Sequence, residues 1–271
     1  MKPISNKIAL ITGGASGIGR SIALKMAARG SHVVLWDIDD KRLARVADEI
    51  ADADGKAVVY QCDVADKQMV YSTADRVRKE VGKVDILINN AGIVTGKLFL
   101  DCPDEQLRRT MEVNILAHFW TVKAFLPDMI GENNGHIVTI ASAGGIIGSA
   151  RLADYSASKF AAFGFHEALR AEFKKERLNI HTTVVCPYFT NTGMFAGVKT
   201  RVSFLLPILD EEHVADRIVN AIARKKPRLI MPPFVYSTWL LRLFPVSVFD
   251  WVANLLGVNN AMDEFHGRKS S

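Results

Sequence analysis

Short apolar runs recur along the first two thirds of this 271-residue chain, and each stops at glycine, proline or a small polar side chain. Ile8-Ala9-Leu10-Ile11 leads into Thr12 and Gly13. Ser31-His32-Val33-Val34-Leu35-Trp36 ends at Asp37, and Ala57-Val58-Val59-Tyr60-Gln61-Cys62 ends at Asp63-Val64. Val84-Asp85-Ile86-Leu87-Ile88 ends at Asn89-Asn90-Ala91-Gly92, and His181-Thr182-Thr183-Val184-Val185-Cys186 ends at Pro187. Short, largely apolar runs bounded in this way predict strands buried on both faces, as in a parallel sheet. Ser21 to Arg29 has helical periodicity and stops at Gly30. Strand–helix alternation predicts an α/β fold, a doubly wound parallel sheet with helices on both faces. In such a sheet ligands bind at the carboxyl edge, where these runs terminate.

The first turn carries the clearest binding signal. Thr12-Gly13-Gly14-Ala15-Ser16-Gly17-Ile18-Gly19-Arg20 joins the first strand to the first helix with the spacing Gly-x-x-x-Gly-x-Gly. Glycines let a backbone approach a pyrophosphate at the positive end of a helix, so Gly13, Ser16, Gly17, Ile18 and Gly19 are candidate cofactor residues. Asp37, at the end of the second strand, can accept hydrogen bonds from both adenosine ribose hydroxyls and repel a 2′-phosphate. Ser16 rather than a basic residue precedes Gly17, and no basic residue follows Asp37 until Lys41. NAD is therefore expected in preference to NADP. The competing reading has Asp37 opening a turn with Asp39 and Asp40.

Tyr155 and Lys159 stand four apart, one turn of helix, and Ser142 lies thirteen residues before the tyrosine. A phenol of pKa about 10 is a poor proton acceptor at neutral pH, and a close ammonium is expected to lower it. Such a pair can move a proton to or from an alcohol oxygen that the serine hydroxyl orients.

Taken together, these motifs resemble the short-chain dehydrogenase/reductase family of the compact type, over about residues 5 to 195. The fold implied is a Rossmann sheet in a single domain, with a core over about 5–231 and an apolar helical extension over about 232–271. Asn114, Ser142, Tyr155 and Lys159 match the family's catalytic tetrad in order and separation. The resemblance implies Tyr155 as general acid/base and Lys159 as the group that lowers its pKa and binds the nicotinamide ribose. It implies that Ser142 orients the substrate oxygen. Asn114, inside a helix from about Asp104 to Met129, would hold a water linking Lys159 to solvent. Asp63, with Val64 beside it, stands where the family meets the adenine, and Asn90-Ala91-Gly92 where it lines the adenosine side. Pro187, Thr190 and Thr192 fall where the family meets the nicotinamide carboxamide.

Tyr188 departs from that pattern, because the family usually has glycine after this proline. With Thr192-Gly193-Met194-Phe195 following, the segment is similar to the retinol and 17β-hydroxysteroid dehydrogenase branch, whose substrates are lipophilic alcohols. Tyr188, Met194 and Phe195 are therefore candidate substrate-lining residues. Leu205 to Leu209 and Asn260 to Phe265 look like epidermal retinol dehydrogenases of that branch. An NADPH-dependent 3-oxoacyl thioester reductase is the alternative within the enzyme class, and Asp37 speaks against it. A non-catalytic nucleotide-binding scaffold at a membrane is the alternative outside it, and the complete tetrad speaks against that. Sugar-nucleotide epimerisation would want a differently spaced glycine turn.

Composition agrees with one domain large enough to bury about three quarters of its unfolded surface. Three scattered cysteines predict no disulfide framework and a reducing, cytoplasmic compartment, and no metal-ligand spacing occurs among the cysteines and seven histidines. A net charge of +5, spread along the chain, gives no reason to expect nucleic-acid binding. Its densest basic cluster, Arg224-Lys225-Lys226 with Arg228, is expected to cap a helix. Beyond Arg228 the chain is apolar, but no run reaches the roughly 18 residues that span a bilayer. Neither a signal peptide nor an anchoring helix is expected at the amino terminus. The tail should cover the pocket or a subunit interface, or lie in a membrane surface flanked by Arg242, Arg268 and Lys269. The family resemblance also implies a homodimer or homotetramer, built through helices near 104–129 and 154–176.

Overall fold

The computed structural model describes residues 4–267. Seven parallel strands form one sheet in the order β3-β2-β1-β4-β5-β6-β7. They are β1 (Ile8–Thr12), β2 (His32–Asp37), β3 (Lys56–Gln61), β4 (Ile86–Asn89), β5 (Gly135–Ile140), β6 (Ile180–Pro187) and β7 (Arg228–Met231). The chain leaves β1 toward one edge and returns at β4 toward the other. The switch point between β1 and β4 thus lies where a crevice opens at the carboxyl edge.

Side chains alternate across the sheet and so divide between two layers. Ala9, Ile11, Val33 and Leu35 face the core built with α1 (Gly17–Ala27), α2 (Asp40–Asp52) and α7 (Glu211–Ala223). Leu10, Val34 and Trp36 face the opposite core, built with α3 (Lys67–Glu80), α5 (Ala117–Gly131) and α6 (Ala153–Lys175). Trp36 is fully buried there, its ring centre 5.7 Å from that of Phe125. Aspartates start three of the helices: Asp39 accepts from Arg42 N at 3.0 Å, Asp66 from Gln68 N at 2.8 Å, and Asp210 from His213 N at 2.9 Å. Each such cap stabilises its helix by about 1 kcal/mol.

Two features depart from the sequence reading. β5 was not predicted, although all six of its residues are buried. The helix expected over 104–129 is interrupted: α4 (Asp104–Met111) passes into a π-turn over Glu112–Leu116 before α5 begins. The basic cluster follows α7 as expected: Arg224 is its C-cap, and the backbone N–H groups of Lys225 and Lys226 donate to the carbonyls of Ile222 and Ala221, both at 2.9 Å. Arg228 instead pairs with Glu167 at 2.8 Å, its guanidinium 4.9 Å from the Trp239 ring centre.

After β7 a 3-10 turn over Pro233–Tyr236 leads to α8 (Ser237–Leu241) and α9 (Val246–Leu255). The segment that follows folds back across the 189–200 loop, where Lys199 N donates to the Ala261 carbonyl at 3.1 Å and His266 N to that of Ala196 at 3.1 Å. Ala261 and Met262 are buried in one cluster with Tyr155, Phe189 and Leu152. The tail therefore covers the carboxyl edge. Arg242 is exposed beside this apolar segment and also donates one guanidinium hydrogen bond to the Ile146 carbonyl at 2.8 Å. Arg268 and Lys269 lie outside the described residues. Among those residues no helix is long and apolar enough to cross a membrane.

Candidate active site

A cavity of about 300 Å³ opens at the switch point and runs from Asp37 to Phe195. Every residue predicted from the sequence for the site lines it, except Gly19 and Asn114, which lie behind the wall.

The floor is the turn between β1 and α1. A Cβ on Gly19 would meet the Gly13 carbonyl oxygen at 2.1 Å and Asn90 Nδ2 at 2.5 Å, so only glycine fits there. Gly13 has φ +66°, in the left-handed region. Asn90 braces the turn by donating from Nδ2 to the Thr12 carbonyl at 2.9 Å and the Gly13 carbonyl at 3.2 Å. Thr12 Oγ1 accepts in return from the backbone N–H groups of Asn90 (3.0 Å) and Ala91 (3.1 Å). Gly17 and Ile18, in the first turn of α1, line the cavity, and that turn contains no acidic residue. It is a donor-rich helix end suited to an anion.

At one end of the cavity stands Asp37, which makes the turn of the competing reading and also braces the glycine loop. One carboxylate oxygen accepts from Ala15 N at 3.0 Å and steadies the glycine turn, while the other accepts from Asp39 N at 3.2 Å. Asp63 is held by a residue the sequence gave no reason to choose: Arg109 of α4 donates to both its oxygens, at 2.9 and 2.8 Å. Arg109 also lines the cavity. Its only sequence signal would have been the partner, 46 positions away.

At the centre, α6 presents Tyr155, Ser158 and Lys159, all buried. Gly145 permits this close approach, since a Cβ there would meet the Lys159 carbonyl oxygen at 2.5 Å. The first turn of α6 is pinned by Asp154, which accepts from the hydroxyls of Thr95 (2.9 Å) and Thr110 (2.8 Å). Ser142 Oγ accepts from Gly144 N at 3.0 Å. Asn114 sits within the π-turn, a break in helical register that recurs at functional sites. Its side chain is committed to protein partners. Oδ1 accepts from Ile93 N (2.9 Å), and Nδ2 donates to the Ile93 carbonyl and to Ser158 Oγ, both at 3.0 Å. Ser158 Oγ donates onward to the Tyr155 carbonyl at 2.7 Å. The amide group of Asn114 thus ties the loop after β4 to α6.

The proton chemistry differs from expectation in one respect. Lys159 Nζ donates to the Ile140 carbonyl at 2.9 Å and lies 5.8 Å from the centre of the Tyr155 ring. Burial pushes the Tyr155 phenol up to about 12, and a hydrogen bond with Ser142 only partly offsets this. Burial also pulls Lys159 down to about 8. The expectation that Lys159 makes the phenol acidic is therefore corrected for this state: the ammonium points to a strand carbonyl, and loss of water dominates both groups.

The far wall is aromatic. Phe195 meets Tyr155 edge-on at 5.7 Å and Phe189 at 5.1 Å, while Tyr188 packs on Phe189 at 4.7 Å. Thr190 pairs with Leu209 in an isolated bridge, and Thr192 Oγ1 accepts from Met194 N at 3.4 Å. Leu152, Ile147 and Val258 complete this wall. They come from loops and the tail, and no local pattern marked them.

The family model described as short chain dehydrogenase matches residues 7–202. The chain belongs to the short-chain dehydrogenase/reductase family. Similarity extends well beyond that core. The chain is 48% identical to human epidermal retinol dehydrogenase 2 over 271 residues, covering 99% of this chain and 88% of the relative. It is 40% identical to human retinol dehydrogenase 10 over 293 residues, covering 97% and 86%. A short-chain dehydrogenase/reductase from Burkholderia phymatum in complex with NAD superposes with a TM-score of 0.81 at 27% identity, covering 92% of this chain and 96% of that one. A metagenomic short-chain oxidoreductase in complex with NADP superposes with a TM-score of 0.71 at 27% identity, covering 84% and 98%. The fold binds a nicotinamide cofactor, and the glycine-only turn, donor-rich helix end and elongated cavity of this chain fit one. The protein is an oxidoreductase acting on alcohols.

Proposed function

We propose that this chain is an NAD-dependent dehydrogenase of lipophilic alcohols, with retinoids, steroids and long-chain alcohols as the substrate classes. The observation that carries the proposal is one cavity that has Asp37 at one end and Ser142, Tyr155 and Lys159 deep inside. Its wall beyond them is made of Tyr188, Phe189 and Phe195.

When bound, the nicotinamide supplies the hydride acceptor, and the cofactor carries that chemistry. The chain's own groups bind, orient and move the proton. Ser142 Oγ orients the substrate hydroxyl, and Tyr155 Oη takes its proton as general base. Lys159 Nζ would hold the nicotinamide ribose hydroxyls and support the phenolate through the ammonium protons left beside the one it donates to the Ile140 carbonyl. Asn114 is a positioning residue: through Ser158 and Ile93 it holds α6 against the loop after β4. Pro187, Thr190 and Thr192, and at the other end Val64, Ala91 and Gly92, line the cavity, and would meet the nicotinamide and the adenosine respectively. The aromatic wall excludes water and favours apolar substrate.

NAD is preferred because the Asp37 carboxylate would stand against a 2′-phosphate. The cavity's two basic side chains are engaged elsewhere, Arg109 by Asp63 and Lys159 by Ile140. Oxidation is the working direction, since NAD is the coenzyme that cells keep mostly oxidised. The names of the relatives support retinol as one substrate.

The exposed apolar face of α8, α9 and the turn between them, including Leu243 in that turn (80% exposed) and Trp251 in α9 (64%), supports a peripheral position on a membrane surface. The exposed side chains of Leu116 in the π-turn, Ile130 in α5 and Phe160 in α6 support a homodimer or homotetramer through those helices.

Turnover of NAD with retinol, a steroid alcohol, a fatty alcohol and small polar alcohols tests the proposal. Activity confined to the small polar alcohols, or faster with NADP, would overturn it. Co-sedimentation with anionic vesicles tests the membrane position, and protein left in the supernatant at low salt would reject it.

A further inference from the structure

A second cavity, of about 270 Å³, lies behind the first. Its wall is built by the tail: Phe234 and Val235 from the turn after β7, Leu240 from α8, and Val252, Ala253 and Leu256 from α9 and its end. Ala143, Ile147, Tyr188 and Val258 line both cavities. One layer of side chains therefore separates the second cavity from the chamber holding Ser142 and Tyr155. No charged residue lines it, and the Ser237 hydroxyl at its edge already donates to the Phe234 carbonyl at 2.7 Å. A space with so few polar partners holds water poorly and suits hydrocarbon.

The opposite end reaches the surface. Leu240 and Phe244 line the cavity and are 64% and 53% exposed. They adjoin Leu243, the most exposed apolar side chain of the tail. An apolar path thus runs from the outer face of α8, through the second cavity, to the layer formed by Tyr188, Ile147 and Val258, and on to the catalytic chamber.

We infer that the second cavity is the site for the hydrocarbon tail of the substrate, entered between Leu240 and Phe244, with Tyr188 as the partition that the tail passes. This rests on the proposed function and adds where the length of the alcohol is read. A short alcohol fills only the chamber beside Tyr155, and a long or polyene alcohol extends into the space lined by Ala253 and Val252. Both of these small side chains stand where a larger one would shorten the site. The tail of the protein, outside the nucleotide-binding core, would then set specificity.

The test compares Ala253→Phe and Val252→Phe with the wild type. The second variant changes a half-buried position and keeps the test alive should the first fail to fold. With NAD, the ratio of kcat/KM for hexadecanol to that for hexanol should fall by about tenfold or more, mainly through KM, because one or two misplaced methylenes in an apolar site discriminate on that scale. Retinol binding without coenzyme, read by quenching of tryptophan fluorescence, should weaken in parallel. An unchanged ratio with unchanged retinol quenching in a folded variant overturns the tail site. Failure of the wild type to turn over any long alcohol overturns the proposed function instead. In that event the quenching experiment still decides whether the cavity takes a hydrocarbon chain.

Discussion

Lys159 and Tyr155 stand one helical turn apart, and the lysine ammonium donates to the carbonyl of Ile140 at 2.9 Å, with its Nζ 5.8 Å from the centre of the tyrosine ring. Both side chains are buried, so removal from water raises the phenol and lowers the ammonium. The pair is held in a costly state whose benefit lies in catalysis, as is common where an active site opposes stability.

Replacing Lys159 with methionine should therefore stabilise the fold while abolishing turnover. The folded pKa of about 8 lies below the ordinary lysine value of 10.5. The unfolded chain thus binds the proton more tightly, and the cost is fully present below pH 8 and relieved as pH rises toward the unfolded value. At neutral pH it amounts to roughly 3 kcal/mol at most, so the variant should melt higher by about 5 °C. A lower melting temperature would show that the ammonium's bond to Ile140 outweighs its burial.

Asp37 both steadies the glycine turn through Ala15 and lines the end of the cavity proposed for the ribose. Asp37→Ser should shift the ratio of NADPH to NADH affinity upward by about tenfold, or 1.4 kcal/mol, in fluorescence titrations. An unshifted ratio would remove Asp37 from coenzyme choice.

Acid should unfold the protein early. His118, His136 and His166 are buried between the sheet and its helices, and burial pulls each down to about 3. A histidine with a depressed folded pKa stabilises the native state above its unfolded value near 6.5, and that contribution is lost as pH falls below it. Together the three give a loss of roughly 4 kcal/mol for each pH unit below about 6. Urea midpoints measured at pH 7, 6 and 5 should fall steeply. A flat profile would contradict the burial of these rings as neutral groups.

The sheet was legible because strands covered on both faces read as unbroken apolar runs ending where the ligand edge must be. β5 escaped because it opens with Gly135 and His136. His136 is polar in sequence yet buried in the fold, where its Nε2 meets Thr183 Oγ1 at 2.8 Å. The π-turn at Asn114 was invisible because Glu112 to Leu116 continues an ordinary helical pattern. Most of the cofactor turn could be read because its chemistry is local: a strand, glycines and a helix in succession. The state of Lys159 could not, because the carbonyl it chooses belongs to a strand 19 positions away. The second cavity could not either, since its walls combine separate stretches of the tail with Ala143, Ile147, Tyr188 and Leu206 from earlier in the chain.

The central claim is that the Tyr155 hydroxyl moves the substrate proton. The most direct measurement is single-turnover oxidation of a lipophilic alcohol by Tyr155→Phe, alongside NADH binding to the same variant. The expected result is a rate lower by about 10²–10⁴-fold or more with NADH affinity within about twofold of wild type. Turnover retained within about tenfold of wild type would contradict the assignment and move the proton chemistry to another group.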